Sequence, residues 1–277
     1  MKKPIIWLLS ISLCLSINLF AQVSDIQELE TGMHFIETQT YTDEENAHIL
    51  DLYKGLRVAD VSDGMDRVGL PGTGLVNPEI YASWTDPVNL SHQIRGIAIT
   101  ARYVPTQRSD RPGPGENFEE WESRFYNAYS PETFVGLIKP GTVIVLDDVE
   151  DRDIGSIGSY NILDWHRHGA VGVITDAGAR DTDEIAIEKV PLYLRKKTRT
   201  IRPGRNELES VNRPVVIGGV LVCPGDIVVA DGDGVIVVPR RVAGQVAQYA
   251  RQILNGDKAG RRNLYERLDM PLDQTVE

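Results

Sequence analysis

Residues 171–185, VGVITDAGARDTDEI, decide the fold. Val171 to Thr175 is a short, β-branched, apolar run of the length of a buried strand. Asp176-Ala177-Gly178-Ala179 breaks it as a turn, and a new helix or turn is expected from Arg180 to Lys189. Upstream, residues 142–147 (TVIVLD) form a second buried-strand run. Between the two lies GSIGSYNILDWHRHG (155–169), a glycine-bearing loop followed by a helix over 160–168 that Gly169 stops. Strand, helix and strand in this order predict two parallel strands joined by a right-handed crossover.

Working outward, Thr42-Asp43-Glu44-Glu45 is a capping box that starts a helix ending near Lys54 and Gly55. A second helix is expected within 59–68, a proline-broken loop over 70–93 and a strand over 94–104. Residues 107–117 read as a surface insertion, and Ser130-Pro131-Glu132 as a helix start ending before Lys139-Pro140-Gly141. Strands follow over 215–222, 227–230 and 235–238, then helices over 242–254 and 261–268. The expected class is α/β, a layered sandwich in a single domain.

Composition sets the bounds. The chain has 277 residues, 42% hydrophobic and 25% charged, enough for a full core without staples. A formal net charge of −11 with no basic run argues against nucleic-acid binding. Residues 1–21 begin with Lys2 and Lys3, continue apolar and end Leu19-Phe20-Ala21, the pattern of a secretory signal cleaved after Ala21. The run is short for a membrane span, so no anchor is expected once it is removed. An arm and helix would then occupy 22–55. Cys223 would be the only remaining cysteine, which excludes an internal disulfide. Its apolar run reads as a buried small hydrophobe.

The chemistry-bearing residues gather at strand ends. Arg180 follows a strand, where α/β folds bind ligands, and a guanidinium there can take a carboxylate in two prongs. The adjacent Asp181 can hold a hard divalent cation completed by water. The same turn also reads as a helix start whose acids favour the dipole. The loop 155–159 can cradle an anion with its backbone N–H groups, or be a plain turn with a serine cap. His166 and His168 point to different helix faces and suit a helix end better than a metal site. Asp231-Gly232-Asp233-Gly234 lacks the later ligands of a calcium loop and reads as a hairpin turn. Asp147, Asp148, Glu150, Asp151 and Asp153 crowd one strand end.

Together, VGVITDAGARDTDEI, the preceding GSIGSYNILDWHRHG, the following GGVLVCPGDIVVADGDGVIVVPR (218–240) and the early VADVSDGMDRVG (58–69) resemble the RraA-like family. That family includes 4-hydroxy-4-methyl-2-oxoglutarate aldolases, oxaloacetate decarboxylases and the regulator of ribonuclease E activity. The resemblance spans roughly 56–240, with insertions near 107–117 and 196–213 and C-terminal helices over 241–277. It implies a ββα layered, swivelling-domain-like fold in trimers or hexamers. It further implies that Arg180 grips a pyruvate carboxylate and that Asp181 binds Mg²⁺ or Mn²⁺. Gly158, Ser159, Tyr160 and Asn161 would bind the pyruvate moiety. The acid that active aldolases carry upstream of the arginine falls on Ser159, so either another acid, such as Asp148 or Asp151, substitutes for it or the classical activity is weak or lost.

The expectation is a periplasmic, divalent-metal-dependent lyase that cleaves a small 2-oxo acid to pyruvate, with Arg180 and Asp181 catalytic. The alternatives are a non-catalytic regulatory protein, or an isomerase or hydratase on a sugar-derived acid.

Overall fold

The computed structural model describes residues 36–108 and 111–277. The signal expected over 1–21 and most of the arm expected after it lie outside the described residues. Thr42 caps the first helix, α1 (Asp43–Tyr53), with Glu45 returning the bond to its backbone N–H. Helix α2 (Val58–Arg67) follows, then β1 (Tyr81–Ala82) and the long strand β2 (Ile94–Pro105).

Next come α3 (Phe118–Ala128), a 3-10 turn over Thr133–Leu137, β3 (Thr142–Asp147), α4 (Ser159–Arg167) and β4 (Ala170–Thr175). Short elements lie beyond: β5 (Gly178–Ala179), α5 (Thr182–Glu188), β6 (Leu192–Leu194) and β7 (Lys196–Lys197). The chain closes with β8 (Asn206–Val211), β9 (Val215–Ile217), β10 (Val220–Val222), β11 (Ile227–Asp231), β12 (Gly234–Val238) and α6 (Ala243–Arg267).

The main sheet runs β1-β6-β4-β3-β2-β11-β12. Strands β2, β3, β4 and β6 are parallel neighbours, and the β3–α4–β4 unit is the one read from 142–175. On its other edge β2 is shared: Ile94 to Ile97 pair with β11, and Ala101 to Pro105 pair with β8. The two ends of the path come together, because Val76 N donates to Val235 O at 3.1 Å and Leu75 bridges Ile236. The result is a nearly closed mixed sheet in a single α/β domain.

Apolar side chains fill three regions. Val145, Ile174, Tyr193, Val228 and Val235 pack inside the rolled sheet. Helices α1, α2 and α6 cover one outer face, with Tyr53, Met65 and Val246 against Val229 and Val238. Helices α4 and α5 cover the other, where Trp165 and Ile185 meet Ile144 and Leu192.

Five local expectations change. The two C-terminal helices are one, because Gly256 and Gly260 cost only about 1 kcal/mol each inside a helix and Arg57 pairs with Asp257 at 2.8 Å. The single strand over 215–222 is a hairpin: Gly218 and Gly219 both take positive φ, the requirement of a tight two-residue turn. The helix expected after Ser130 is only the short 3-10 turn, because Ser130 points inward to Asn206 Oδ1 at 3.3 Å instead of capping. Cys223 is half-buried in the turn after β10, its N–H donating to Asp226 Oδ2. Helix α3 was not anticipated, although Asn117 and Glu120 form a capping box before Trp121 and Phe125.

Candidate functional site

The turn after β4 is pulled against the loop before α4. Arg180 N donates to Ile157 O at 2.9 Å, and Ile157 bridges Ala179. This brings the two sequence motifs together at the carboxyl ends of β3 and β4. Arg180 and Asp181 thereby meet Gly158 and Ser159, and Arg180 shares a cleft with Asn161. Asp181 Oδ2 accepts the Ser159 N–H at 3.3 Å and lies 3.6 Å from Arg180 Nε.

Asp181 has φ 56° and ψ 36°, the left-handed region that Asp and Asn tolerate better than other side chains. That backbone turns its carboxylate back toward the N-terminus of α4. Gly158 is required there by close approach: a Cβ on it would sit 2.9 Å from Asp181 Oδ2. Gly155 is similar, since a Cβ would lie 3.0 Å from Arg180 Cγ and Cδ.

Gly158 is also the N-cap of α4 and brings no side chain to the helix start. The first-turn N–H groups of Tyr160 and Asn161 are therefore left to a ligand or water, at the positive end of the helix dipole. Of the residues expected to bind pyruvate, Gly158 and Ser159 lie against Asp181, while the Asn161 side chain turns to Glu132. The Tyr160 ring projects outward, 83% exposed.

Arg180, Tyr160 and Asn161 line an open cleft of about 500 Å³ whose other wall is α3 and the segment 130–132. Sequence reasoning missed two of its charged residues. Glu132 takes the Asn161 amide at 2.7 Å and the Trp165 indole N–H at 2.9 Å, and pairs with Arg202. Arg202, from the 196–213 insertion, is 3% exposed and also donates to the Tyr103 hydroxyl at 2.8 Å. Burial opposes its charge, but the Tyr103 and Tyr126 phenols and Glu132 outweigh that and raise its pKa. The Ser-Pro-Glu triplet was visible, but nothing in its spacing showed that Glu132 would face α4.

The proposed replacement acids sit elsewhere. Asp148 is buried and accepts Asn206 Nδ2 at 2.8 Å, with its amide on Asp176 Oδ1. Asp151 is exposed in its loop. Among the described residues neither bonds to Arg180 or Asp181. Asp153 is spent on Arg199 and Asp147 on Arg102. His166 and His168 each donate from Nδ1 to a backbone carbonyl, of Ala170 and Asp164 respectively, which suits a helix end. The 231–234 turn is a tight hairpin, with Asp231 holding the N–H groups of Asp233 and Val58.

Asp181 Oδ1 has no hydrogen-bond partner among the described residues, which leaves one carboxylate oxygen for a cation. No group of three or more His, Cys, Asp or Glu is placed to hold a metal among them. A cation here would take one protein carboxylate and complete its shell with water and substrate oxygens. That donor set fits Mg²⁺, which keeps several waters.

Comparison with known proteins places the family and the fold. The family model RraA-like (Aldolase/RraA) matches residues 58–237. A Halalkalibacterium halodurans protein named "Putative 4-hydroxy-4-methyl-2-oxoglutarate aldolase" is 29% identical over 202 residues, covering 73% of this chain and 81% of that protein. Protein DlpA of Legionella pneumophila is 26% identical over 183 residues. The match covers 65% of this chain but only 26% of DlpA, so the chain spans about a quarter of that relative. The crystal structure of Streptomyces coelicolor RraAS2, described as an unusual member of the RNase ES inhibitor RraA protein family, superposes with a TM-score of 0.64. It is 20% identical, covering 79% of this chain and 98% of that one, and shows the shared fold.

Proposed function

Because the chain belongs to the RraA-like family, we propose that it is a lyase that cleaves a small 2-oxo acid to pyruvate. One observation carries this reading: Arg180 lines one cleft with Tyr160 and Asn161 of the uncapped start of α4, and Asp181 lies beside Arg180 against that helix start. Arg180 holds the substrate carboxylate, and the Tyr160 and Asn161 N–H groups receive its remaining lone pairs and the keto oxygen. A divalent cation on Asp181, Mg²⁺ or Mn²⁺, would supply Lewis acidity at the keto group.

When the carbon–carbon bond beside the keto group breaks, negative charge develops on the keto oxygen. With Arg180 holding the adjacent carboxylate, the helix amides and the positive charge of the guanidinium would stabilise that developing charge. Retro-aldol cleavage and decarboxylation of oxaloacetate develop the same charge, so one site serves both. Ser159 brings no carboxylate. Of the acids that line this cleft, Glu132 is the one bonded to α4, where it holds Asn161 in place. The same reading has the chain exported to the periplasm after loss of 1–21 and assembled as a homotrimer or hexamer, which the amino-terminal pattern and the family resemblance support.

The test incubates protein beginning at Gln22 with oxaloacetate and Mg²⁺, with and without chelator, and follows pyruvate. Chelator-sensitive pyruvate above the metal-only background is the expected result. Pyruvate at background in both arms would sink the proposal.

A further inference from the structure

The cleft beyond Arg180 has a chemical character of its own. Its outer wall is α3, whose Glu119, Glu122, Ser123 and Tyr126 stand three, four and seven residues from the first and so share one face. The opposite face of α3 is anchored by buried Trp121 and Phe125, which fixes that stripe toward the cleft. Neither Glu119 nor Glu122 has a cationic partner among the described residues.

Arg202 is the only other cation in the lining, and its guanidinium is already taken by Glu132 and the Tyr103 hydroxyl. The lining therefore holds three carboxylates against two guanidiniums, one of which is internally neutralised. A second carboxylate or a phosphate placed beyond Arg180 would face acids with no free cation to meet it. Hydroxyl groups would be matched instead: carboxylates accept from them, and the Tyr126 phenol both donates and accepts.

We propose that the substrate is a sugar-derived 2-oxo acid with a single anionic group, whose distal hydroxyls bind Glu119, Glu122 and Tyr126. This rests on the reading of Arg180 as the grip on the 2-oxo carboxylate. In such a substrate the C3–C4 bond breaks. The C4 hydroxyl loses its proton and becomes the carbonyl of an aldehyde. The electron pair left at C3 takes up a proton, giving pyruvate. The products are pyruvate and an uncharged hydroxyaldehyde, with no oxidant or co-substrate required.

The experiment compares three substrates with full-length mature protein and Mg²⁺: a 2-oxo-3-deoxyhexonate, its 6-phosphate, and oxaloacetate. The hexonate is expected to exceed its phosphate in kcat/KM by about tenfold or more, a discrimination typical of one misplaced charge in a partly exposed pocket. In a Glu119→Gln, Glu122→Gln variant the ratio is expected to fall to near one, chiefly through a lower KM for the phosphate. Calorimetric binding of the hexonate and its phosphate in chelator gives the same order without turnover.

Equal or better use of the phosphate, or a ratio that survives in the variant, overturns the proposal. Pyruvate from oxaloacetate with neither hexonate cleaved overturns it while leaving the lyase standing. Pyruvate from none of the three overturns both.

Discussion

The carboxylate of Asp181 rests on the backbone amide of Ser159, with Oδ2 3.3 Å from N, across the gap that Gly158 keeps open. This contact ties the Arg-Asp turn to the start of α4. It also means that the carboxylate proposed to hold a cation has its place kept open by a residue with no side chain.

Gly158→Ala tests that tie. Gly158 has φ −119°, so alanine fits the backbone, but its Cβ must displace the Asp181 carboxylate. The change should cost under about 1 kcal/mol in stability yet raise the Mg²⁺ concentration needed for half-maximal turnover by about tenfold. Denaturant unfolding and a Mg²⁺ titration of pyruvate formation check the two halves.

Arg180 is half-exposed and makes its structural contact through its backbone, so its side chain can be removed without unfolding the turn. Arg180→Ala should lower kcat/KM for pyruvate formation by about a hundredfold or more with an unchanged unfolding midpoint. Arg180→Lys should recover only part of this, because an ammonium loses the two-pronged geometry. Steady-state kinetics beside thermal melts separate the outcomes.

The Glu132–Arg202 pair should behave as a buried unit. Glu132→Ala leaves the Arg202 guanidinium enclosed without its carboxylate and should cost about 3–5 kcal/mol. The double variant Glu132→Gln, Arg202→Met removes both charges and should lie closer to wild type. A double-mutant cycle by urea unfolding measures the coupling.

Asp176 gives the stability a pH dependence. Burial, reinforced by Asp147 and Glu150, pushes its carboxyl up to about 8 from the usual 3.8. The folded protein keeps a proton there that the unfolded chain has released, so stability falls as pH rises from about 4 through about 8. Asp176→Asn preserves an acceptor for the Asp148 amide and removes this slope. It should add about 1–3 kcal/mol at pH 9 and little at pH 4, read from urea unfolding at both values.

The β3–α4–β4 unit and the Arg-Asp turn were legible in the sequence because short β-branched runs and glycine stops are local signals. The 231–234 hairpin was legible for the same reason. The far wall of the cleft was not. Glu132 and Arg202 are far apart in sequence and meet only because β8 returns to β2 and turns the insertion inward. Helix α3 carried a local signal, the Asn117–Glu120 box, hidden beside a Pro- and Gly-rich insertion. The break between β9 and β10 was masked by apolar residues on both sides of Gly218 and Gly219.

Strand β2 has a consequence for how the chain becomes a protein. It must bind β3, β8 and β11 along one backbone, and β11 is complete only at Asp231. Nascent chains shorter than this carry a twelve-residue strand with an open edge. Such non-local pairing is slow, so collapse into the native sheet lags behind synthesis. A sheet that cannot close until residue 231 of 277 has emerged leaves the chain threadable for that interval, which is the condition the proposed export would need.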